Sequence, residues 1–267
     1  MIAMKVYIIT DLEGASGVAG FWEDFNPGGR VHEEARRLLT GDVNAAVEGA
    51  LRGGAEEVVV LDGHGAAFSI LLEELNPAAR LIRGRRILEM AGLDETFDAV
   101  FAVGAHAMAG VPLALLCHTL SHTSIINIWL NGLKVGEVGL WAAIAGHYGV
   151  PLIMVAGDEA AVKEARELLG GVETVAVKRA TSMYSAECLH PKVTARMIAE
   201  AAERALKRLS KGEFKPFKLK PPVEMRVEYM LPAAAERVAK RPGVRRIDGR
   251  TVSYEGNSVE ECMSMLL

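Results

Sequence analysis

The chain has 267 residues, half of them apolar, and its 30 basic and 34 acidic side chains leave a net charge of −4. That length suits one large domain, or one with a smaller companion. It excludes a disulfide-stapled miniature, because Cys117, Cys188 and Cys262 form neither a disulfide framework nor a Cys-x-x-Cys metal knuckle. Sparse cysteine, and a start that runs without a basic leader into Val6-Tyr7-Ile8-Ile9, predict a cytoplasmic protein with no signal peptide.

The first β-branched run is Lys5 to Thr10, followed by others at Glu57 to Leu61, Ala99 to Val103 and Pro151 to Val155. Between the first two, Ala35, Leu38, Leu39, Val43, Ala46, Val47 and Ala50 form a helical stripe over Glu33 to Leu51, which stops at Gly53-Gly54. Ser124 to Leu130, Asn131-Gly132 and Leu133 to Val135 spell a hairpin, since Asn-Gly supplies the positive φ angles of a type I′ turn. Val138 to Gly157 carries no formal charge, but His147, Tyr148 and Pro151 make it a helix, a break and a strand, so no membrane span is expected. Asp158 is positioned to cap a helix whose apolar face is Ala161, Val162, Ala165, Leu168 and Leu169. A helix over Pro191 to Leu209 precedes a linker-like stretch near 210–222, rich in proline and lysine. A strand at Val223 to Met230, a helix near Ala233 to Ala239, a hairpin around Asp248-Gly249 and a last helix from Ser258, with Ser258 and Glu261 as a capping box, complete the chain.

Strands alternating with helices predict an α/β fold: a mostly parallel or mixed sheet with helices on both faces, plus a smaller C-terminal α+β portion. The expected division is a metal-binding α/β catalytic domain over 1–178 and a smaller α+β region over 179–267. Charge follows a similar division, with 23 acidic against 12 basic residues in 1–177 and 18 basic against 8 acidic in 178–250. The basic residues are scattered rather than interleaved with aromatics, so no nucleic-acid partner is expected.

Chemistry concentrates where the strands end. Asp11 and Glu13 follow the first run, two apart and thus on one side of an extended chain. His64 follows the second in Asp62-Gly-His-Gly65, and His106 follows the third in Gly104-Ala-His106. In open α/β sheets the carboxyl ends of strands line the ligand crevice, so these groups converge on one rim. Carboxylates and imidazoles without thiolates suit zinc, manganese or cobalt, and more than three of them suggest two ions. Residues 99–133 hold no Asp, Glu, Lys or Arg, yet contain His106, His118 and His122. Glu137 sits among glycines and apolar residues just beyond. Each has a structural alternative: Asp11 and Glu13 as turn caps, His64 as a turn residue, His106 as a hydrogen-bonded core imidazole and Glu137 as a first-turn helix acid.

The ordered motifs Asp11-Leu-Glu-Gly-Ala-Ser-Gly17, Asp62-Gly-His-Gly65, Gly104-Ala-His-Ala107, Cys117-His-Thr119, Asn131 to Leu140 and Val155-Ala-Gly-Asp158 resemble those of the D-aminopeptidase family, metallopeptidase family M55. The resemblance runs from residue 5 to about residue 190 and weakly beyond. It implies that Asp11 bridges two zinc ions, that Glu13 and His64 complete one site and His106 and Glu137 the other, and that His118 is the catalytic residue, a nucleophile in the family's description. It further implies a short-peptide substrate and a closed homo-oligomer, a decamer of stacked pentameric rings. The segment between His106 and His118 is one residue longer than the family pattern.

Cys117 and His118 are neighbours in what reads as a strand, so only one can face the pocket, which argues against a Cys–His dyad. Water held by two metals needs no covalent nucleophile, which favours His118 as a proton-transfer or oxyanion-stabilising group. Asp62 is placed either to orient His64 or to cap its turn. His122 reads as a core imidazole or a substrate contact, and His32, His147 and His190 as structural or surface residues. The expected function is a di-zinc aminopeptidase that removes an N-terminal D-residue such as D-alanine. The alternatives are an L-aminopeptidase on the same site, a di-metal phosphoesterase and a nucleic-acid-binding module. A phosphoesterase would place Arg or Lys beside the metals, and 99–133 has none.

Overall fold

The computed structural model describes residues 4–65, 68–84 and 89–267. Its elements in chain order open with β1 (Lys5–Thr10), α1 (Trp22–Phe25), α2 (His32–Arg52), β2 (Glu57–Asp62), β3 (Ala79–Ile82) and β4 (Ala99–Ala105). There follow β5 (Ile125–Leu130), β6 (Leu133–Val135), α3 (Glu137–His147), β7 (Leu152–Asp158), α4 (Glu159–Leu169), β8 (Glu173–Ser182), β9 (Ser185–Cys188) and α5 (Pro191–Leu209). The chain closes with β10 (Val223–Tyr229), α6 (Pro232–Val238), β11 (Arg245–Arg246), β12 (Thr251–Gly256) and α7 (Val259–Leu266).

A seven-stranded sheet runs β3-β2-β1-β4-β7-β8-β9, parallel except for β9. A five-stranded antiparallel sheet runs β11-β12-β10-β5-β6. The parallel strands are apolar throughout because both their faces are covered. Along β1, Val6 and Ile8 enter one core, with α2 and α5. Tyr7 and Ile9 enter another, with α3, α4, α7 and the inner face of the five-stranded sheet. Each of these four side chains is completely buried, and burying one such side chain is worth about 1.5–3 kcal/mol. The mixed sheet with both faces covered agrees with the expected fold class. The expected boundary at 178/179 falls inside β8, and the β5–β6 hairpin joins the sheet built mainly by residues 223–256.

Local signals act as their chemistry requires. Asn131 and Gly132 take φ of 48° and 83° in the β5–β6 turn. Asp158 Oδ1 accepts the Ala161 N–H at 2.7 Å and caps α4. Ser258 Oγ accepts the Glu261 N–H, while Glu261 reaches back to the Asn257 N–H rather than to that of Ser258, shifting the expected box by one residue. The periodic reading passed over β3, β8, β9 and α1. Among them, β3 and α1 are four residues each, too short for a hydrophobic repeat to stand out. Among the described residues, no helix is long and apolar enough to cross a membrane.

Candidate metal centre

Strands β2, β1 and β4 are neighbours, so the segments leaving their carboxyl ends lie side by side. Backbone pairing continues past β1: the Asp11 N–H donates to Val103 O at 2.9 Å and the Gly14 N–H to Gly104 O at 2.8 Å. Glycine is required at both positions. A Cβ on Gly14 would collide with the Ala105 carbonyl, and one on Gly104, whose φ is +82°, with the Asp11 carbonyl. This close approach carries Asp11 and Glu13 to the end of β4, where His106 emerges. Glu137 arrives separately, as the first residue of α3, and its Oε1 accepts the Leu120 N–H at 2.7 Å.

The predicted residues converge. His106 Nε2 lies 3.2 Å from Asp11 Oδ2 and 3.2 Å from Glu137 Oε1, His64 Nε2 lies 3.2 Å from Glu13 Oε1, and His118 Nε2 lies 3.7 Å from Glu137 Oε1. Donor atoms of Asp11, Glu13 and His106 fall within 4.8 Å of one another, as do those of His106, His118 and Glu137. All of these side chains are buried except the half-buried His64.

Whether these residues suit a cation is decided by hydrogen bonding. His106 Nδ1 faces the Ala107 carbonyl at 3.0 Å and His118 Nδ1 the Leu116 carbonyl at 2.9 Å. A carbonyl only accepts, so each Nδ1 carries a proton, and in the neutral imidazole each Nε2 offers a lone pair. His106 Nε2 therefore confronts carboxylate oxygens that are also acceptors, and although the separations are short it is aligned as a hydrogen bond to neither. His106 Nε2, Asp11 Oδ2 and Glu13 Oε2 are all buried without a hydrogen-bond partner among the described residues. Lone pairs gathered this way are costly unless a positive charge sits among them, and an imidazole that donates its far N–H to a carbonyl is the usual arrangement for a metal-bound histidine.

The electrostatics agree. Burial would push Asp11 and Glu137 up, but His106, when protonated, holds both below the ordinary carboxylate range, with His64 adding to the effect at Asp11. Burial would lower His106 and His64. Glu137 and Asp11 instead keep His106 well above its usual value, and Glu13 and Asp11 push His64 up to about 9. Burial, and then the adjacent His106, hold His118 below its usual value. The carboxylates thus create a potential that draws positive charge to this rim.

Asp11, Glu13, His64, His118 and Glu137 line a cavity of about 840 Å³, within the range of small-ligand sites, and His106 lies buried behind them. Leu120, Met263 and Leu267 give it an apolar wall, Glu89 and Glu260 add carboxylates, and no Lys or Arg among the described residues lines it. The indole of Trp22 stacks on His122 at 4.2 Å and meets His118 edge-on at 5.0 Å.

Two sequence expectations need correction. His118 is not on a strand: residues 107–124 form a strand-free loop in which Leu113, Leu116 and Leu120 take φ between 50° and 61°. The face argument against a Cys–His dyad lapses, but Cys117 still does not line the cavity, and its thiol faces Val111 O. A long uncharged stretch reads as core. Its apolar side chains are buried in places, as at Leu115 and Leu116, but irregular backbone delivers them. His122 is not a core imidazole, being exposed at the cavity. As for Asp62, its Oδ2 accepts the Ile70 N–H at 2.9 Å, and it is Ser69 Oγ that lies 3.0 Å from His64 Nδ1.

Sequence reasoning missed Trp22, Glu260 and Lys178. The first two had no local signal, since remote elements bring them to the cavity. Lys178 had one: a lysine directly after the apolar run Val175-Ala-Val177 of a strand.

Fold and site together define a class: an α/β protein with a candidate cation site of carboxylates and imidazoles at the carboxyl rim of its parallel strands. The family model for D-aminopeptidases, peptidase family M55, matches residues 4–267. The chain belongs to that family. It is 34% identical to a D-aminopeptidase of Bacillus subtilis (strain 168) over 273 aligned positions, covering 99% of this chain and 96% of the relative. The solved structure of the zinc-dependent D-aminopeptidase DppA from Bacillus subtilis, described as a self-compartmentalizing protease, superposes with a TM-score of 0.92 at 34% identity, covering 98% of this chain and 96% of that one.

Proposed function

We propose that this protein is a zinc-dependent aminopeptidase that hydrolyses the N-terminal peptide bond of short peptides beginning with a D-residue such as D-alanine. The observation that carries the proposal is the set of buried donor atoms of Asp11, Glu13 and His106 that have no hydrogen-bond partner among the described residues, in a chain that matches D-aminopeptidases end to end.

As the family resemblance implies, two zinc ions would be held by Asp11, Glu13, His64, His106 and Glu137. When bound, zinc supplies Lewis-acid polarisation of the scissile carbonyl and a water activated near neutral pH. The remaining work falls to the chain. His118, with Nδ1 fixed on Leu116 O and Nε2 3.7 Å from Glu137 Oε1 at the cavity, is assigned the proton transfers and stabilisation of the developing oxyanion. Trp22 limits the rotation of that imidazole by meeting its ring edge-on. The acidic lining favours a substrate that brings an ammonium group and disfavours a phosphate ester, whose charge would meet Glu89 and Glu260 with no Arg or Lys among the described residues to receive it. The assembly assigned is a closed homo-oligomer, a decamer of stacked pentameric rings, working in the cytoplasm.

Hydrolysis of D-Ala and L-Ala p-nitroanilides, with and without a chelator, tests the assignment. Chelator-sensitive release from the D-substrate is expected. Preference for the L-substrate would overturn the chirality, and cleavage of a phosphate ester with neither anilide cleaved would overturn the class.

A further inference from the structure

The loop between β1 and α1 carries Asp11 and Glu13, and it has an anchor outside the donor set. Lys178, on β8, is 3% exposed, and its ammonium reaches back to that loop. Nζ donates to Glu13 O at 2.6 Å, Ala15 O at 2.7 Å and Val18 O at 2.6 Å. An ammonium has three N–H donors and no acceptor, so the match with three carbonyls is complete and uses the charged form. A buried lysine is costly, and charge-assisted bonds to three convergent carbonyls are what offset the cost. A second tether holds the same loop from α2: Asp42 Oδ2 accepts the Ser16 N–H at 2.8 Å, and Ser16 Oγ lies 2.8 Å from Asp42 Oδ1 and 2.7 Å from Thr194 Oγ1.

We propose that Lys178 is a positioning residue for the zinc centre: by gathering the carbonyls of Glu13, Ala15 and Val18 on one buried ammonium, it fixes the backbone that aims the carboxylates of Asp11 and Glu13. The proposal rests on the assignment of those two carboxylates as ligands. Its signature is a sign. Treated as a bare charge near a cation site, Lys178 repels zinc, and its removal would tighten binding. Treated as the anchor of the ligand loop, its removal weakens binding, and changes to residues that orient ligands typically cost 10–100-fold in metal affinity.

The test is zinc affinity, measured on the full-length protein by competition with a chelator. Lys178→Met is expected to bind zinc 10–100-fold more weakly than the unmodified protein. Lys178→Gln, which keeps two donors, should lose less. Ser16→Ala, which removes the hydroxyl bonds of the second tether but keeps the Ser16 N–H on Asp42 and the buried cation in place, should lose less again. Excess zinc should restore hydrolysis by Lys178→Met, a rescue that a purely structural defect would not show. Unchanged or tighter zinc binding in a folded Lys178→Met overturns the proposal, and Lys178→Gln decides if Lys178→Met does not fold. If neither folds, Ser16→Ala decides: zinc binding like that of the unmodified protein would mean that loosening this loop does not reach its ligands, and overturns the proposal. Should the unmodified protein bind no zinc at all, it is the assignment of the metal centre that fails.

Discussion

The two sheets use charge in opposite ways. In the seven-stranded sheet, β1, β2, β4 and β7 are buried on both faces, and acids and imidazoles gather where these strands end. In the five-stranded sheet, β10 alternates buried and half-buried residues, and charge runs along the strand: Arg226 pairs with Glu224 at 2.8 Å, and Glu228 with Arg250 at 3.0 Å. The outer charges are solvated partners on a surface ladder, each pair worth about 1 kcal/mol or less. The inner ones are desolvated and leave donor atoms without hydrogen bonds. A charge at the end of a doubly buried strand therefore carries functional information that a charge on a half-exposed strand does not.

The largest expected effect tests the rim. Asp11→Asn removes one of the charges that draw a cation there and should lower kcat/KM for the D-Ala anilide by at least ~10³-fold with the far-ultraviolet spectrum retained. Near-normal activity would place the chemistry elsewhere. His118→Asn should cost about 10²–10⁴-fold in kcat while zinc content stays unchanged; coupled loss of metal would make His118 a ligand instead. Ile8→Ala should destabilise the protein by about 2–5 kcal/mol in denaturant unfolding, because β1 has no solvent face onto which the cavity can collapse.

Asp42 sharpens the comparison through pH. Burial pushes its carboxyl up to about 6, against the hydrogen bonds from Ser16 and the charge of Lys178. With the folded value above the unfolded one, the folded state holds the proton more tightly. Its contribution is full below about pH 3.8 and declines through about pH 6, by roughly 3 kcal/mol in all. Metal-free unfolding at pH 4 and pH 7 should show that decline in the unmodified protein relative to Asp42→Asn, and parallel profiles would rule it out. The smallest effect belongs to the outer sheet: Arg250→Ala should change stability by under about 1 kcal/mol, and a larger loss would mean that its pair with Glu228 is not a solvated one.

Much of this was legible in the chain. The strand over Lys5–Thr10 and the helix over Pro191–Leu209 appear with the expected limits, since hydrophobic period, proline and caps are local properties. Asp11, Glu13, His64 and His106 could be named because each directly follows a strand. The loop of His118 was misread because positive φ at Leu113, Leu116 and Leu120 leaves no mark in composition.

The sequence by itself determined the elements, the strand-end position of the acids and imidazoles, and the six ordered motifs that identify the family, all of which depend on residues near one another in the chain. Only the tertiary structure decided that β2, β1 and β4 lie side by side, that Glu137 closes the donor set from α3, and that Lys178, 165 positions from Glu13, holds the loop they share. Those relations follow from which apolar faces bury one another, a choice made by packing the whole chain and written in no single segment.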